Sequence, residues 1–153
     1  MTTGRRIQRC TLQAGEAWMV PAGEQQVAVG IDLRTLAASG PFAAICLDGT
    51  PLWLAGIHEL WPQVGIAWEL VLDRTAMARH TVSIIRLAQQ QWTRWLTPGA
   101  WRWLEAQVLL EDTRSQRWLH WLGFEPLATK PGYGPQGETI VVYAWQKETQ
   151  HGA

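Results

Sequence analysis

EDTRSQRWLHWLGF, residues 111–124, is the stretch from which the fold is predicted. Asp112 is a typical N-cap residue, and Gly123 is typical of the position just after a helix end. Between these two residues, apolar side chains recur with the spacing of one helical face. The stretch therefore predicts a short helix over 113–122 with a defined beginning and a defined end.

The segments around this short helix predict a sheet with one long helix. The predicted elements, in chain order, are a weak edge strand over 5–12, strands over 42–47, 51–60 and 64–72, a helix over 74–96, a strand over 101–110, the short helix, and a strand over 139–146. Asp48-Gly49 is a strong hairpin signal, so the three central strands form an antiparallel meander. Gly56, inside a strand, predicts a bulge or a close backbone approach. The predicted class is α/β (α+β), with a mixed, mainly antiparallel sheet flanked by helices.

Composition limits the classes of function that are open to this chain. Its 153 residues suit a single domain, and its formal net charge is zero. Direct nucleic-acid binding is not expected, since that function needs an excess of basic residues. The sequence has no apolar run long enough for a membrane span. Cys10 and Cys46 lack a metal-binding spacing and are interpreted as reduced, and no metal site is predicted.

The order of the predicted elements resembles the GNAT acyltransferase fold. The short-helix pattern of that superfamily is N-x-x-A-x-x-L-Y-x-x-x-G-F. The places of this pattern are taken here by Asp112, Ser115, Trp118, Leu119, Gly123 and Phe124. The resemblance covers residues 42–146 and leaves an N-terminal part, 1–41, and a loose tail, 147–153, outside it.

A narrower similarity links the chain to internal virion proteins of short-tailed phages. It is carried by ICLDGTPLWLAG (45–56), by Trp68 and Asp73, and by DTRSQRWLHWLGF (112–124). It implies a virion protein that reuses the GNAT-like scaffold for binding in the capsid core, the ejection apparatus or the portal–tail region. Its partners would be other virion proteins, in a homo- or hetero-oligomer. Its location would be the virion, and the host cytoplasm during assembly. A host-directed phage factor that stays outside the particle is a further alternative.

Two departures from the superfamily pattern argue against catalysis. The pyrophosphate loop of GNAT enzymes reads R/Q-x-x-G-x-G/A, but residues 73–82 here contain no glycine. Leu119 stands where many members carry a tyrosine that protonates the leaving thiolate, and leucine has no proton to donate. The expected function is therefore non-catalytic, with no cofactor. The alternative is an acetyl-CoA-dependent N-acyltransferase with an altered loop.

Several residues are candidate site residues, either for an enzyme or for a binding protein. For an enzyme, Glu69 and His58 are the candidate bases, because transfer to an amine needs a proton acceptor. Acetyl-CoA would be bound by the basic side chains near the long-helix start, Arg74, Arg79 and His80. For a binding protein, the interface would contain Trp53, Trp61, Arg114 and Arg117.

Overall fold

A computed structural model describes residues 6–10 and 38–147. Seven strands and three helices form the described chain. They are β1 (Ile7–Cys10), β2 (Phe42–Leu47), β3 (Thr50–Trp61), β4 (Val64–Val71), α1 (Arg74–Arg79), α2 (Thr81–Trp95), β5 (Trp103–Leu109), α3 (Thr113–Trp121), β6 (Glu125–Lys130) and β7 (Ile140–Gln146).

The strands form one mixed sheet in the order β1-β2-β3-β4-β5-β7-β6. Every neighbouring pair is antiparallel except β4 and β5, which are parallel because α1 and α2 connect them. The predicted class, a mainly antiparallel sheet with flanking helices, is therefore observed. The sequence did not predict β6, a short edge strand in which Pro126 removes one main-chain donor.

The central meander forms as predicted around two glycine positions. Asp48 and Gly49 have φ angles of 50° and 83°, the left-handed conformation that a tight hairpin needs. At Gly56, an added Cβ would lie 2.7 Å from the carbonyl oxygen of Pro41 and 2.7 Å from the ring of Trp68. The predicted close approach of backbone at Gly56 is confirmed.

The predicted helix over 74–96 is interrupted at His80, which has φ −124° and ψ 28°. The hydroxyl of Thr81 donates to the carbonyl oxygens of Met77 and Ala78, at 3.2 and 3.1 Å. Side-chain hydroxyls of this kind compete with the helical main-chain bonds. The prediction of one continuous helix is therefore wrong, and a six-residue α1 precedes α2.

The short helix α3 has the predicted cap and end. Asp112 accepts a hydrogen bond from the main-chain N–H of Ser115 at 3.0 Å and another from its hydroxyl at 2.6 Å. Gly123 has a φ of 101°, and the chain then turns Phe124 into the core with none of its surface exposed. Cap, glycine and aromatic residue together set the angle at which α3 meets the sheet.

Helices α2 and α3 pack side by side on one face of the sheet. Trp92 of α2 donates from its indole N–H to the carbonyl oxygen of Leu122 at 3.2 Å, and its ring lies 5.5 Å from that of Phe124. Beneath them, β3 contributes Trp53 and Ile57 to the buried core. The arrangement leaves the start of α3 close to β4 and β5, where the candidate site lies.

Three further sequence-based expectations concern the cysteines, the chain ends and a membrane span. The interpretation of Cys46 as a reduced thiol is wrong, because this buried residue is disulfide-bonded. Most of the N-terminal part over 1–41, and the loose tail apart from Lys147, lie outside the described residues. Within the described ranges, no helix has the length and apolarity needed to cross a membrane.

Candidate functional site

A split in the middle of the sheet is the main feature of the candidate site. Strands β4 and β5 pair over only three residues each, Val64–Ile66 with Trp103–Glu105, although both strands continue beyond this ladder. The N–H of Leu72 donates to Leu52 of β3 at 2.7 Å. Because antiparallel pairing alternates, the N–H and C=O groups of residues 67, 69 and 71 point to the other side, towards β5. An internal edge that can pair with an extended ligand is therefore available.

A cleft of 280 Å³, the strand cleft, lies at this split. Ala67 and Glu69 of β4 line one side of the cleft, and Ala106 and Val108 of β5 line the other. Side chains of α2 and α3 close it on the helix face. Its lining is mostly apolar with few polar groups, a composition typical of small-molecule sites.

Two carboxylates line the strand cleft, Asp112, which caps α3, and Glu69. Glu69 is half-buried, and its Oε2 accepts a hydrogen bond from the indole N–H of Trp53 at 3.1 Å. The predicted base candidate thus lies inside the cleft and is held in one orientation by a buried tryptophan. A carboxylate placed in this way can accept a proton from a bound amine.

Leu119, at the position of the superfamily's tyrosine, also lines the strand cleft. It is 7% exposed and belongs to the buried core. The structure therefore places the aliphatic side chain where the sequence pattern expects a proton donor. A phenol does line the cleft elsewhere, at Tyr133 in the loop between β6 and β7.

A second cavity of 680 Å³, the helix groove, lies between α1 and α2 on one side and α3 on the other. From α3 it is lined by Arg114, Arg117, Trp118 and Trp121. These residues have the spacing i, i+3, i+4 and i+7, which places them on one helical face. One face of α3 is therefore both basic and aromatic, and it faces a groove.

The strand cleft and the helix groove lie next to each other. Five residues line both cavities: Trp53, Glu69, Arg74, Ser115 and Trp118. Residues of β3, β4, α1 and α3 thus form part of the wall of both cavities.

Three tryptophans, the tryptophan row, extend from this shared wall. The rings of Trp53 and Trp118 make an edge contact with centroids 5.9 Å apart, and those of Trp118 and Trp121 are tilted at 5.1 Å. Trp53 is 7% exposed, whereas Trp121 is 51% exposed. The row therefore leads from the buried cleft to the open groove.

The start of α1 differs from an anion-binding helix start. The carboxylate of Asp73 accepts a hydrogen bond from the main-chain N–H of Ala76 at 2.9 Å. It thus occupies, with its own negative charge, the place where a helix N-terminus would bind a phosphate. The absence of glycine between 73 and 82 prevents the main chain from turning further N–H groups towards a ligand.

The structure brings some of the predicted cofactor and base residues to the site and leaves others outside. Arg74 lines both cavities, whereas Arg79 and His80 line neither of them. His58 also lies outside both cavities, and its Nδ1 contacts the hydroxyl of Ser39. Of the two predicted bases, Glu69 is therefore the one that the fold places in the cleft.

The four predicted interface residues are also divided. Only 7% of Trp53 is exposed, and this residue lines the two cavities rather than an open surface, so its interpretation as an interface anchor at the surface is wrong. Trp61 is 57% exposed and is the last residue of β3, so its position allows the predicted interface role. Arg114 and Arg117 are exposed and line the helix groove, so their position fits a ligand as well as a partner.

Sequence reasoning did not assign Ser115, Trp118 or Trp121 to the site. The signal was present in the spacing of Arg114, Arg117, Trp118 and Trp121, which share one face of α3. The sequence shows that stripe, but it does not show that the stripe faces a groove rather than solvent.

Comparison with solved structures identifies the fold. The chain is similar to the ribosomal-protein-S18-alanine N-acetyltransferase from Escherichia coli, with TM-score 0.62 and 14% identity over 92% of this chain and 94% of that one. It is similar to an IAA acetyltransferase from Bacillus cereus, with TM-score 0.62 and 10% identity over 92% and 99%. A GNAT family acetyltransferase from Elizabethkingia anophelis, with acetyl-CoA bound, matches with TM-score 0.60 and 7% identity over 92% and 97%. No protein-family model and no curated protein matches the sequence.

These similarities confirm the GNAT-like fold and correct the functional hypothesis. The chain has a mixed α/β fold of the GNAT type, with a mostly antiparallel seven-stranded sheet. The hypothesis of a non-catalytic phage virion protein is wrong, because the similar structures are acetyltransferases and nothing supports the phage family. The virion location and virion partners depended on that hypothesis, and no observation tests them, so they stay predictions.

Proposed function

We propose that this protein is an acyltransferase that takes an acyl group from an acyl-CoA thioester and transfers it to an amine. The observation that carries the proposal is the strand cleft, an opening between two parallel strands that is lined by Glu69, whose carboxylate is oriented by Trp53. The similar structures support it, since one holds acetyl-CoA and another is an alanine N-acetyltransferase.

The residues present fit the extended arm of an acyl-CoA. That arm carries amide groups, and the N–H and C=O groups of residues 67, 69 and 71 point into the split between β4 and β5. Amide pairing of this kind adds a strand-like partner to an open sheet edge. When bound, acyl-CoA supplies the activated acyl group as a thioester.

Glu69 is the residue to which we assign the role of general base. An amine that reacts with an acyl carbonyl must lose a proton, and a carboxylate within hydrogen-bonding reach can accept it. The hydrogen bond from Trp53 to Oε2 fixes the carboxylate of Glu69 at the wall of the cleft. The lining of both cavities by Glu69 supports this assignment.

Leu119 does not prevent this reaction. Thiols have a pKa of about 8.5, so a thiolate can leave without taking a proton in the same step. A general acid contributes about 10²- to 10⁴-fold in rate, so its absence lowers the rate rather than abolishing the chemistry. The leucine also keeps the helix face of the cleft apolar.

Replacement of Glu69 by glutamine tests the proposal. Gln keeps the volume of Glu and can still accept from Trp53, so binding of acetyl-CoA measured by calorimetry is expected to stay within about threefold of wild type. The rate of acetyl transfer to a panel of primary amines, followed by thiol release, is expected to fall about 10²- to 10⁴-fold. Glu59→Gln is the matched control, because Glu59 is exposed on β3 and lines neither cavity.

Two results would contradict the proposal. The first is a wild-type protein that neither binds acetyl-CoA nor acetylates any amine of the panel. The second is transfer by the Glu69→Gln variant at the same rate as by the Glu59→Gln variant, which would show that Glu69 accepts no proton in the reaction.

A further inference from the structure

We infer that the helix groove binds the phosphorylated nucleotide end of the acyl donor through the arginine side chains of α3. This inference rests on the proposed function and assigns its phosphate contacts to residues outside the α1 start. The groove adjoins the strand cleft, with which it shares five lining residues, so the two ends of one extended ligand would lie in neighbouring cavities.

The main chain at the start of α1 is a poor place for these phosphates. Asp73 already satisfies the N–H of Ala76, and its carboxylate would repel an incoming phosphate. α1 is also only six residues long, so its dipole is small. The phosphates must therefore be bound by side chains and not by the main chain of α1.

Arg114 and Arg117 provide those side chains. They lie one turn apart on the same face of α3 and line the groove together with Arg74. Three arginines and one carboxylate line the groove, in a chain with zero net charge. Within residues 6–10 and 38–147, neither Arg114 nor Arg117 has an ion-pair partner. Guanidinium groups bind phosphate oxygens in bidentate fashion, which suits a diphosphate or a sugar phosphate.

The aromatic side chains of the groove suit the base of a nucleotide. Trp121 is half-exposed and lies next to Trp118, with ring centroids 5.1 Å apart. An exposed indole beside arginines offers a surface on which a purine can stack. The base, the phosphates and the acyl arm would then lie along the tryptophan row, with the base at the exposed Trp121 and the acyl arm near the buried Trp53.

The test compares ligands that carry different numbers of phosphates. Calorimetry would measure the dissociation constants of CoA, of 3′-dephospho-CoA and of pantetheine, which has no phosphate. The variant is Arg114→Ala/Arg117→Ala. The matched control is Arg86→Ala/Arg94→Ala, which removes two exposed arginines of α2 that line neither cavity.

The inference predicts a loss that depends on phosphate. The Arg114→Ala/Arg117→Ala variant is expected to bind CoA about 30- to 100-fold more weakly than wild type, since each charged hydrogen bond contributes about tenfold. Its affinity for pantetheine should be unchanged. The α2 control should bind CoA within about threefold of wild type, because distant surface charges are screened.

Two outcomes would overturn this inference but leave the proposed function intact. One is a CoA affinity of the Arg114→Ala/Arg117→Ala variant equal to that of the control, in a wild-type protein that transfers acyl groups. The other is an equal loss for CoA and pantetheine, which would indicate a structural effect. Failure of the wild type to bind CoA and to transfer any acyl group would overturn the proposed function as well.

Discussion

Replacement of Gly56 by alanine tests how closely the centre of the meander is packed beside the strand cleft. The new Cβ would lie 2.7 Å from the carbonyl oxygen of Pro41 and 2.7 Å from the ring of Trp68. Non-bonded heavy atoms are in contact at about 3.5 Å or more, so the methyl group would intrude by about 0.8 Å on both neighbours. Neither neighbour is a flexible side-chain end that can move at little cost.

The magnitude follows from what each neighbour does. The carbonyl of Pro41 accepts a hydrogen bond from the N–H of Ile57 at 2.9 Å, and weakening this bond costs about 0.5–1.5 kcal/mol. The Trp68 ring is 93% buried, since 7% of its surface is exposed, and overpacking a buried site costs about 1–3 kcal/mol. Gly56→Ala is therefore expected to lower the free energy of unfolding by about 2–4 kcal/mol.

Urea denaturation followed by tryptophan fluorescence and by circular dichroism would measure this change. Gly99→Ala is the control, because Gly99 has a φ of 85° and no heavy atom would lie within 4 Å of an added Cβ. That substitution should cost only the left-handed strain, about 1–2 kcal/mol. A loss below about 0.5 kcal/mol in Gly56→Ala, which is within the range of neutral surface substitutions, would refute the packing argument.

Two further predictions concern the core and the tryptophans. Phe124→Ala should cost about 3–5 kcal/mol of unfolding free energy, because Phe124 is fully buried, whereas Leu127→Ala, at an exposed position, should cost under about 0.5; equal losses in urea denaturation would contradict the position of the core. Within the described residues the buried indole N–H of Trp68 has no hydrogen-bond partner. Trp68→Phe and Trp53→Phe both remove buried ring volume, but Trp53→Phe also removes the bond to Glu69, so it should lower the unfolding free energy by about 1–3 kcal/mol more than Trp68→Phe does. The reverse order of these two variants in thermal or urea unfolding would show that Trp68 makes a bond that the geometry does not contain.

Much of the fold could be predicted because its signals are local. The turn at Asp48-Gly49, the Asp112 cap and the end at Gly123 are conformational preferences of single residues, and the structure contains all three. The break at His80 could not be predicted in the same way. It depends on a competition between the hydroxyl of Thr81 and the main-chain bonds, and sequence periodicity does not resolve such a competition.

The site was predictable only in part, because its geometry depends on contacts between segments that are distant in sequence. Glu69 was identified as a possible base from its residue type and its strand, but its orientation by Trp53 joins two strands. Trp53 was expected at a surface because tryptophan is enriched at interfaces, and burial among the helix contacts placed it in the core. Residue type indicates what a side chain can do, but not where the chain puts it.

The sequence by itself determined the order of the elements other than β6 and the break at His80, and it determined the class of the sheet. It also determined the loss of the glycine-rich loop and of the tyrosine at position 119. Each of these features depends on residues that are neighbours in the chain. Only the tertiary structure decided that β4 and β5 separate after three pairs and that the basic and aromatic face of α3 lines a groove leading to Glu69. Those features depend on packing between segments that are distant in sequence, where the burial of apolar surface, and not local preference, determines which side chains meet.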